Sequence, residues 1–497
     1  MQWERRWSCV IAVALAGCGG GAPGAGESDS DGGLADELEL PGFVIDGAAA
    51  GDRALAVPCG DINGDGLEDL AVGTSRAGQL VAYVVYGKED DEPVELAEIE
   101  AGGAGGVVLD GGATMSSGHH EVFLEVVGVG DVNGDGFDDL SVAPRHVYAG
   151  DATLLMGGPD LPTHVDLAAL EEGDGAMRFD IAADGFGGDG VEAARVGDVN
   201  GDGFDDVALV GVGGFVDRFY VVFGGPAIAG RTEAELNAGV GGFEVHAFAS
   251  AQVFGPADIN GDGVADLVVA DRGGYSQAAE VYVLFGGSEV GGESPIQLSD
   301  EPPLSVPGFM VVQTEYYAAQ FLGGAASGDI NGDGLDDIAI DDGGEDAVFV
   351  VFGKTDSESV LLPHELGDRG FRIEYGDLPG GGTSYEYRRR LSMIPDHNGD
   401  GRDEIVLQSL SAQGEPSQAY VIYGRSETAP VALGDVAAGV GGYLVNDWPE
   451  GGYLGDLIGW SAVGGGAARD LVLVDRDASP SGEASGRAYV LFDVPGR

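Results

Sequence analysis

Short apolar runs recur along the chain, each rich in Val, Tyr and Phe and closed by an aromatic residue and glycine. Five are clear: Ala82 to Gly87, Phe219 to Gly224, Val281 to Gly286, Val348 to Gly353 and Ala419 to Gly424. Weaker relatives are Thr153 to Gly157 and Ala488 to Phe492. Runs of this length and composition, bounded by turn residues, predict strands. A second element, Gly-Phe-x-Ile, stands at Gly42 to Ile45 and recurs near Val107, Phe179, Phe243, Phe309, Phe371 and Tyr443. Between the two lies a polar loop, Asp-x-Asn-Gly-Asp-Gly, that begins at Asp61, Asp131, Asp198, Asp258, Asp329 and Asp396. The starts are 70, 67, 60, 71 and 67 residues apart. Self-similarity at a near-fixed period predicts a repeat architecture.

The strand runs number seven and the loops six, so one unit has lost its loop. Asp470-Leu471-Val472 matches Asp69-Leu70-Ala71, which sets the seventh loop start at Ala462 and puts Ala462, Gly464 and Gly466 where Asp, Asn and Asp stand elsewhere. The expected fold is all-β, a seven-bladed β-propeller of four-stranded blades, with strands A to D and the polar loop between A and B. The first Gly-Phe element precedes unit one and none follows unit seven, so Gly42 to Gly47 is expected to supply strand D of the last blade. Such sharing closes the ring without a free sheet edge. The repeat Asp-x-Asn-Gly-Asp-Gly-x-x-Asp-Leu with its trailing aromatic-glycine strand resembles the FG-GAP repeat of integrin α chains and bacterial surface proteins, over about residues 40–497. That resemblance implies a propeller, calcium in the loops and a surface-exposed binding role.

The loop chemistry points to calcium as well. Calcium takes six to eight hard oxygens, which a tight loop with oxygen side chains at alternate positions supplies. In the first loop Asp61, Asn63 and Asp65 stand at positions 1, 3 and 5, the carbonyl of Leu67 at position 7 and Asp69 at position 9, with Gly66 permitting the turn. The same roles fall to Asp131, Asn133, Asp135, Phe137 and Asp139; to Asp198, Asn200, Asp202, Phe204 and Asp206; to Asp258, Asn260, Asp262, Val264 and Asp266; and to Asp329, Asn331, Asp333, Leu335 and Asp337. The sixth loop has Asp396, Asn398 and Asp400 but Arg402 at position 7 and Glu404 at position 9, changes expected to weaken it. Plain Asx-turn chemistry accounts for one such loop. It does not account for one oxygen set kept over nine positions in six copies. About five to six ions are expected, filled constitutively outside the cell.

Composition narrows the setting. Glycine is 91 of 497 residues while 44% are apolar, which excludes disorder and collagen and suits short strands with tight turns. The formal charge of −62 excludes nucleic acid and disfavours anionic lipid, leaving cations, neutral or cationic polymers and a surface protein or glycan as partners. Arg5 and Arg6, an apolar run to Ala16 and the small residues that follow read as a secretory signal over residues 1–17. Leu15-Ala16-Gly17-Cys18 resembles the lipobox of bacterial lipoproteins, which implies lipid on Cys18, a flexible Gly/Ser/Asp-rich tether over residues 18–39 and anchoring to the cell envelope at the outer membrane. Cys59 is then left without a partner and is expected as a buried core residue.

Three connections between strands D and A carry a candidate ligand patch: Tyr316 and Tyr317; Tyr385, Tyr387, Arg388, Arg389 and Arg390; and Trp448 and Tyr453. Adjacent arginines among aromatics suit an acidic or carbohydrate ligand. Signals for catalysis are poor, since no G-x-S-x-G, H-E-x-x-H or cysteine pair occurs and the pair His119 and His120 has no placed carboxylate or nucleophile. The last strand run ends close to Arg497, so no appended catalytic domain is expected. A surface adhesin or binding module is the leading expectation. The alternatives are a polysaccharide hydrolase or lyase, which predicts carboxylates clustered by Tyr385 or His119, and a structural part of an envelope complex, which predicts a flat apolar face.

Overall fold

The computed structural model describes residues 42–76, 78–113, 123–145, 152–170, 176–179, 190–212, 218–226, 228, 232–247, 251–271, 280–292, 294–298, 304–313, 321–342, 347–362, 364, 366–375, 387–411, 418–445, 458–461, 463–464, 470–475 and 478–492. The segment assigned to signal, lipidated cysteine and tether lies outside them. Seven sheets follow one another along the chain, each with four antiparallel strands in the order A, B, C, D. In the first blade these are Leu55–Gly60, Asp69–Gly73, Gln79–Val85 and Gly106–Ala113. The last blade is Ile458–Ser461, Asp470–Asp475 and Arg487–Leu491, completed by Gly42–Asp46 as its strand D. The closing register runs antiparallel from Gly42 opposite Leu491 to Asp46 opposite Arg487. Asp46 and Arg487 seal it with a two-point ion pair, Nε to Oδ1 at 2.5 Å and Nη2 to Oδ2 at 2.7 Å.

Five of the blades gain a fifth strand that the repeat pattern does not announce. The connection between strands C and D of one blade crosses to the outer edge of the preceding blade and pairs there in parallel for two or three residues. Examples are Val94–Glu95 beside Gly42–Asp46 and Val360–Leu362 beside Gly308–Gln313. Each crossing covers an outer edge that would otherwise expose unpaired backbone groups. Elements of two or three residues carry too little pattern to be legible in sequence.

The core lies between blades. One apolar cluster joins Ala257, Val268, Val281 and Phe309 of the fourth blade to Ile338, Ala347, Phe349 and Val351 of the fifth. The intervening residues Ala339, Val348 and Val350 turn to the next seam, with Phe371, Ile405 and Tyr420. Strand side chains alternate, so every central strand feeds two seams and is buried on both faces. This is why Ala347–Val351 is apolar throughout.

Both glycine signatures are steric. A Cβ on Gly308, at φ +143°, would lie 2.0 Å from the carbonyl oxygen of Val283, and one on Gly242 would lie 2.1 Å from that of Val221. The glycine of the aromatic-glycine pair sits in a seam: at Gly157 a Cβ would meet the carbonyls of Asp138 at 2.3 Å and Ile62, in the neighbouring blade, at 2.8 Å. The aromatics of the two signatures then meet, as in Phe223 with Phe243, Phe352 with Phe371 and Phe492 with Phe43. The scarce cations add pins across seams, with Lys88 over Phe43 and Lys354 over Phe309, 5.1 and 4.5 Å from the ring centres.

Candidate metal centres

The six polar loops are the A-to-B turns, so all stand on one face of the ring, and each is wound by its own side chains. Asp61 Oδ1 accepts the backbone N–H groups of Gly64 and Asp65 at 2.7 and 3.1 Å, and Oδ2 accepts that of Gly66 at 2.8 Å. Asn63 Oδ1 accepts from Asp65, and Asp65 Oδ1 from Leu67. Asp131, Asp198, Asp258, Asp329 and Asp396 accept the same bonds in their loops. Gly66 has φ +88° with open space beside it, the left-handed turn that the winding needs. A carboxylate has about four lone-pair sites, so these three bonds leave capacity for a further partner.

Position 9 is built differently. Asp69, Asp139, Asp206, Asp266 and Asp337 are fully buried as the first residues of their B strands. Asp69 Oδ2 accepts the N–H of Ile62 at 3.0 Å, and Oδ1 accepts that of Gly87, the signature glycine, at 2.8 Å. The equivalent pair holds Asp139 to Val132 and Gly157, and Asp206 to Val199 and Gly224. Burial outweighs these donors and pushes Asp69, Asp139, Asp206 and Asp266 up to about 7 and Asp337 up to about 8. In the seventh blade Asp470 keeps the structural half of this role, accepting the N–H of Gly464 at 2.6 Å, so the fold survives there without the loop oxygens.

Among the described residues, one trio of carboxylates comes within 4.8 Å of one another: Asp396, Asp400 and Glu404, in the loop expected to be weakest. Glu404 carries one methylene more than aspartate and keeps its backbone bond, from His397 at 2.7 Å, while also accepting from the Asn398 amide at 2.6 Å. Arg402 bridges two loops: its Nε donates to the carbonyl of Asn331 in the fifth loop at 3.0 Å, while Nη1 stays 4.0 Å from Asp400 Oδ2, so a cation lies beside one member of the trio. The donor set of all six loops consists of oxygens on a partly exposed rim, which fits a hard divalent cation and not a thiophilic metal.

Residues at positions 7 and 8, which the pattern treats as spacers, join neighbouring loops. The ring of Phe137 occupies the space beside Gly64, where a Cβ would lie 2.2 Å away, and Phe204 does the same at Gly134. Asp138 Oδ2 accepts the N–H of Asp61 at 2.8 Å across the seam, and Asp336, Asp403 and Asp205 hold Asp258, Asp329 and Asp131 alike. The sequence carried a signal for them, since an acid pair ends four of the five loops after the first: Asp138-Asp139, Asp205-Asp206, Asp336-Asp337 and Asp403-Glu404.

Tyr316, Tyr317, Tyr385, Trp448, Tyr453, His119 and His120 lie outside the described residues. Arg388, Arg389 and Arg390 correct one expectation. With Tyr387 they belong to strand A of the sixth blade, Tyr387–Ile394, opposite Leu410, Ser409 and Gln408, and not to the preceding connection. Cys59 is buried in strand A of the first blade, as expected. Compared with known proteins, the sequence matches no family model and no curated protein. What the fold and loops define is a seven-bladed β-propeller with an acidic cluster able to chelate a metal ion.

Proposed function

We propose that this protein is a calcium-stabilised propeller of the FG-GAP type, exported and held at the cell envelope by lipid on Cys18, that binds a surface protein or glycan and is not an enzyme. The observation that carries the reading is one oxygen set, repeated in six loops on a single face of the ring and drawn together in Asp396, Asp400 and Glu404. Calcium here is architectural. It neutralises the carboxylates at positions 1, 5 and 9 and ties strand A to strand B in the six blades that carry the loop. The opposite face, made of B-to-C and D-to-A connections, is then free to vary and to carry the ligand site, as loops on a rigid scaffold do.

Equilibrium dialysis and thermal melts test the metal half. Filled sites stabilise by RT ln(1 + [Ca]/Kd), about 1.4 to 2.7 kcal/mol per site at 10 mM calcium for the Kd of ~10⁻⁴ to 10⁻³ M usual in extracellular modules. Five to six ions per chain and a melting temperature that falls in EDTA are expected. An unchanged melt with no bound calcium would dispose of the reading. For the other half, labelling with a radioactive fatty acid should be abolished by Cys18→Ala, and capture of envelope glycans or surface proteins should fall when Arg388, Arg389 and Arg390, in the first half of strand A where the D-to-A connection enters the sixth blade, become alanine.

A further inference from the structure

We propose that the acid at position 8 of four loops, Asp138, Asp205, Asp336 and Asp403, is a positioning residue for the metal centre of the preceding blade, so that these centres are coupled in one direction round the ring. The inference rests on the calcium reading above. Four carboxylates reach across a seam to the backbone N–H of the preceding loop's first ligand: Asp138 to Asp61 at 2.8 Å, Asp205 to Asp131 at 3.2 Å, Asp336 to Asp258 at 2.7 Å and Asp403 to Asp329 at 3.0 Å. The N–H of each of these acids donates in return to the carbonyl of the same first ligand, at 2.9 to 3.3 Å. The first ligand is thereby held through both its backbone groups by the next blade while its carboxylate turns into its own loop. Room is reserved for the contact. Gly60, Gly130 and Gly328 precede three of the first ligands, and a Cβ on them would lie 2.3, 1.7 and 2.6 Å from the carboxylate oxygens of Asp138, Asp205 and Asp403.

The fold itself does not require the side chain. Between the third and fourth blades position 8 is Ala265, whose N–H still donates to the carbonyl of Asp198 at 3.1 Å. A second break follows the sixth loop, because the seventh unit has no polar loop. There Asp403 turns its other oxygen, Oδ1, to the N–H of Asp396 in its own loop at 3.0 Å, and so holds the first ligands of two loops. A hydrogen bond donated by a ligand's own backbone N–H to a fixed side-chain oxygen holds that ligand in place before the cation arrives, and its loss weakens the site roughly tenfold.

Counting calcium ions per chain by equilibrium dialysis, at a concentration that just fills the wild type, tests the coupling. Asp336→Ala should lose one ion, and Ala265 indicates that alanine is tolerated at this position. Asp258→Asn should lose the same ion, so the double variant also lacks one; with Asp329→Asn, in the loop that Asp336 belongs to, two should be missing. Asp336→Asn, which keeps an acceptor and removes the charge, should restore most of the loss, an outcome that long-range charge alone does not give. Asp205→Ala with Asp131→Asn repeats the count at the second loop. A full count in Asp336→Ala, or two ions missing when it is joined to Asp258→Asn, would overturn the coupling while leaving the calcium reading intact. Absence of calcium from the wild type would overturn the reading instead.

Discussion

Breaking the pair that closes the ring should open one blade and spare the other six. Asp46 and Arg487 stand 441 positions apart in sequence, and their side chains keep only 6% and 18% of their exposure. A pair on the surface is worth ~0–1 kcal/mol, whereas removing one partner of a buried pair costs ~3–5 kcal/mol because the other charge is stranded. The residual exposure of Arg487 puts Asp46→Ala near the low end, about 3 kcal/mol. Spread over an unfolding entropy of ~2.1 cal/mol/K per residue, that is a shift of only about 3 °C in a chain of this size. Local opening is the sharper readout. The segment Gly42–Asp46 is tied to the ring by its pairing with Arg487–Leu491 and the short Val94–Glu95 crossing. Native-state hydrogen exchange of its amides should therefore accelerate roughly a hundredfold in Asp46→Ala, since ~1.4 kcal/mol is a factor of ten. The amides of Gly308–Gln313, the equivalent strand of the fourth blade, should exchange as before. Asp46→Leu combined with Arg487→Met should recover most of the protection, because no charge is then stranded. Unchanged exchange in the single variant, or equal acceleration in all seven blades, would refute closure by this pair.

Two further expectations concern the glycines and the buried carboxylates. Gly308→Ala places a Cβ 2.0 Å from the Val283 carbonyl and should destabilise the protein by about 3 kcal/mol or more, whereas Gly287→Ala, at φ +133° with open space, should cost only the ~1 kcal/mol of strained backbone. Equal losses in denaturant melts would mean that φ, and not the clash, selects these glycines. In EDTA the position 9 acids make stability fall as pH rises from the ordinary aspartate range to about 7, because burial raises their folded values and the folded state binds the extra protons. Asp69→Asn should reduce that slope by one proton, about 1.4 kcal/mol per pH unit between pH 5 and 6.5. An unchanged slope would show that Asp69 is ionised throughout.

Much of the molecule is legible in the chain because the repeats supply their own alignment. Seven copies of two strand signatures set the blade count, and the copy at Gly42 to Ile45, which precedes the first unit, announces the closing strand. Asp61, Asn63 and Asp65 and their equivalents could be placed as one set because they act within nine residues of one another. Local contacts leave a local pattern.

What tertiary structure decided is everything that crosses a seam. The ionic partner of Asp46, the fifth strands, the turn of Arg402 toward Asn331 and the grip of Asp336 on Asp258 each join residues from different repeats or opposite chain ends. No periodicity within one repeat records which neighbour a side chain meets. The same holds for position 9, where Asp69 looked like a metal ligand alone and proved to be a buried acceptor for Ile62 and Gly87, 7 and 18 residues away. The sequence specified the blade and its loop through short-range order. Only packing one blade against the next, which buries both faces of each sheet, determined how the loops are joined.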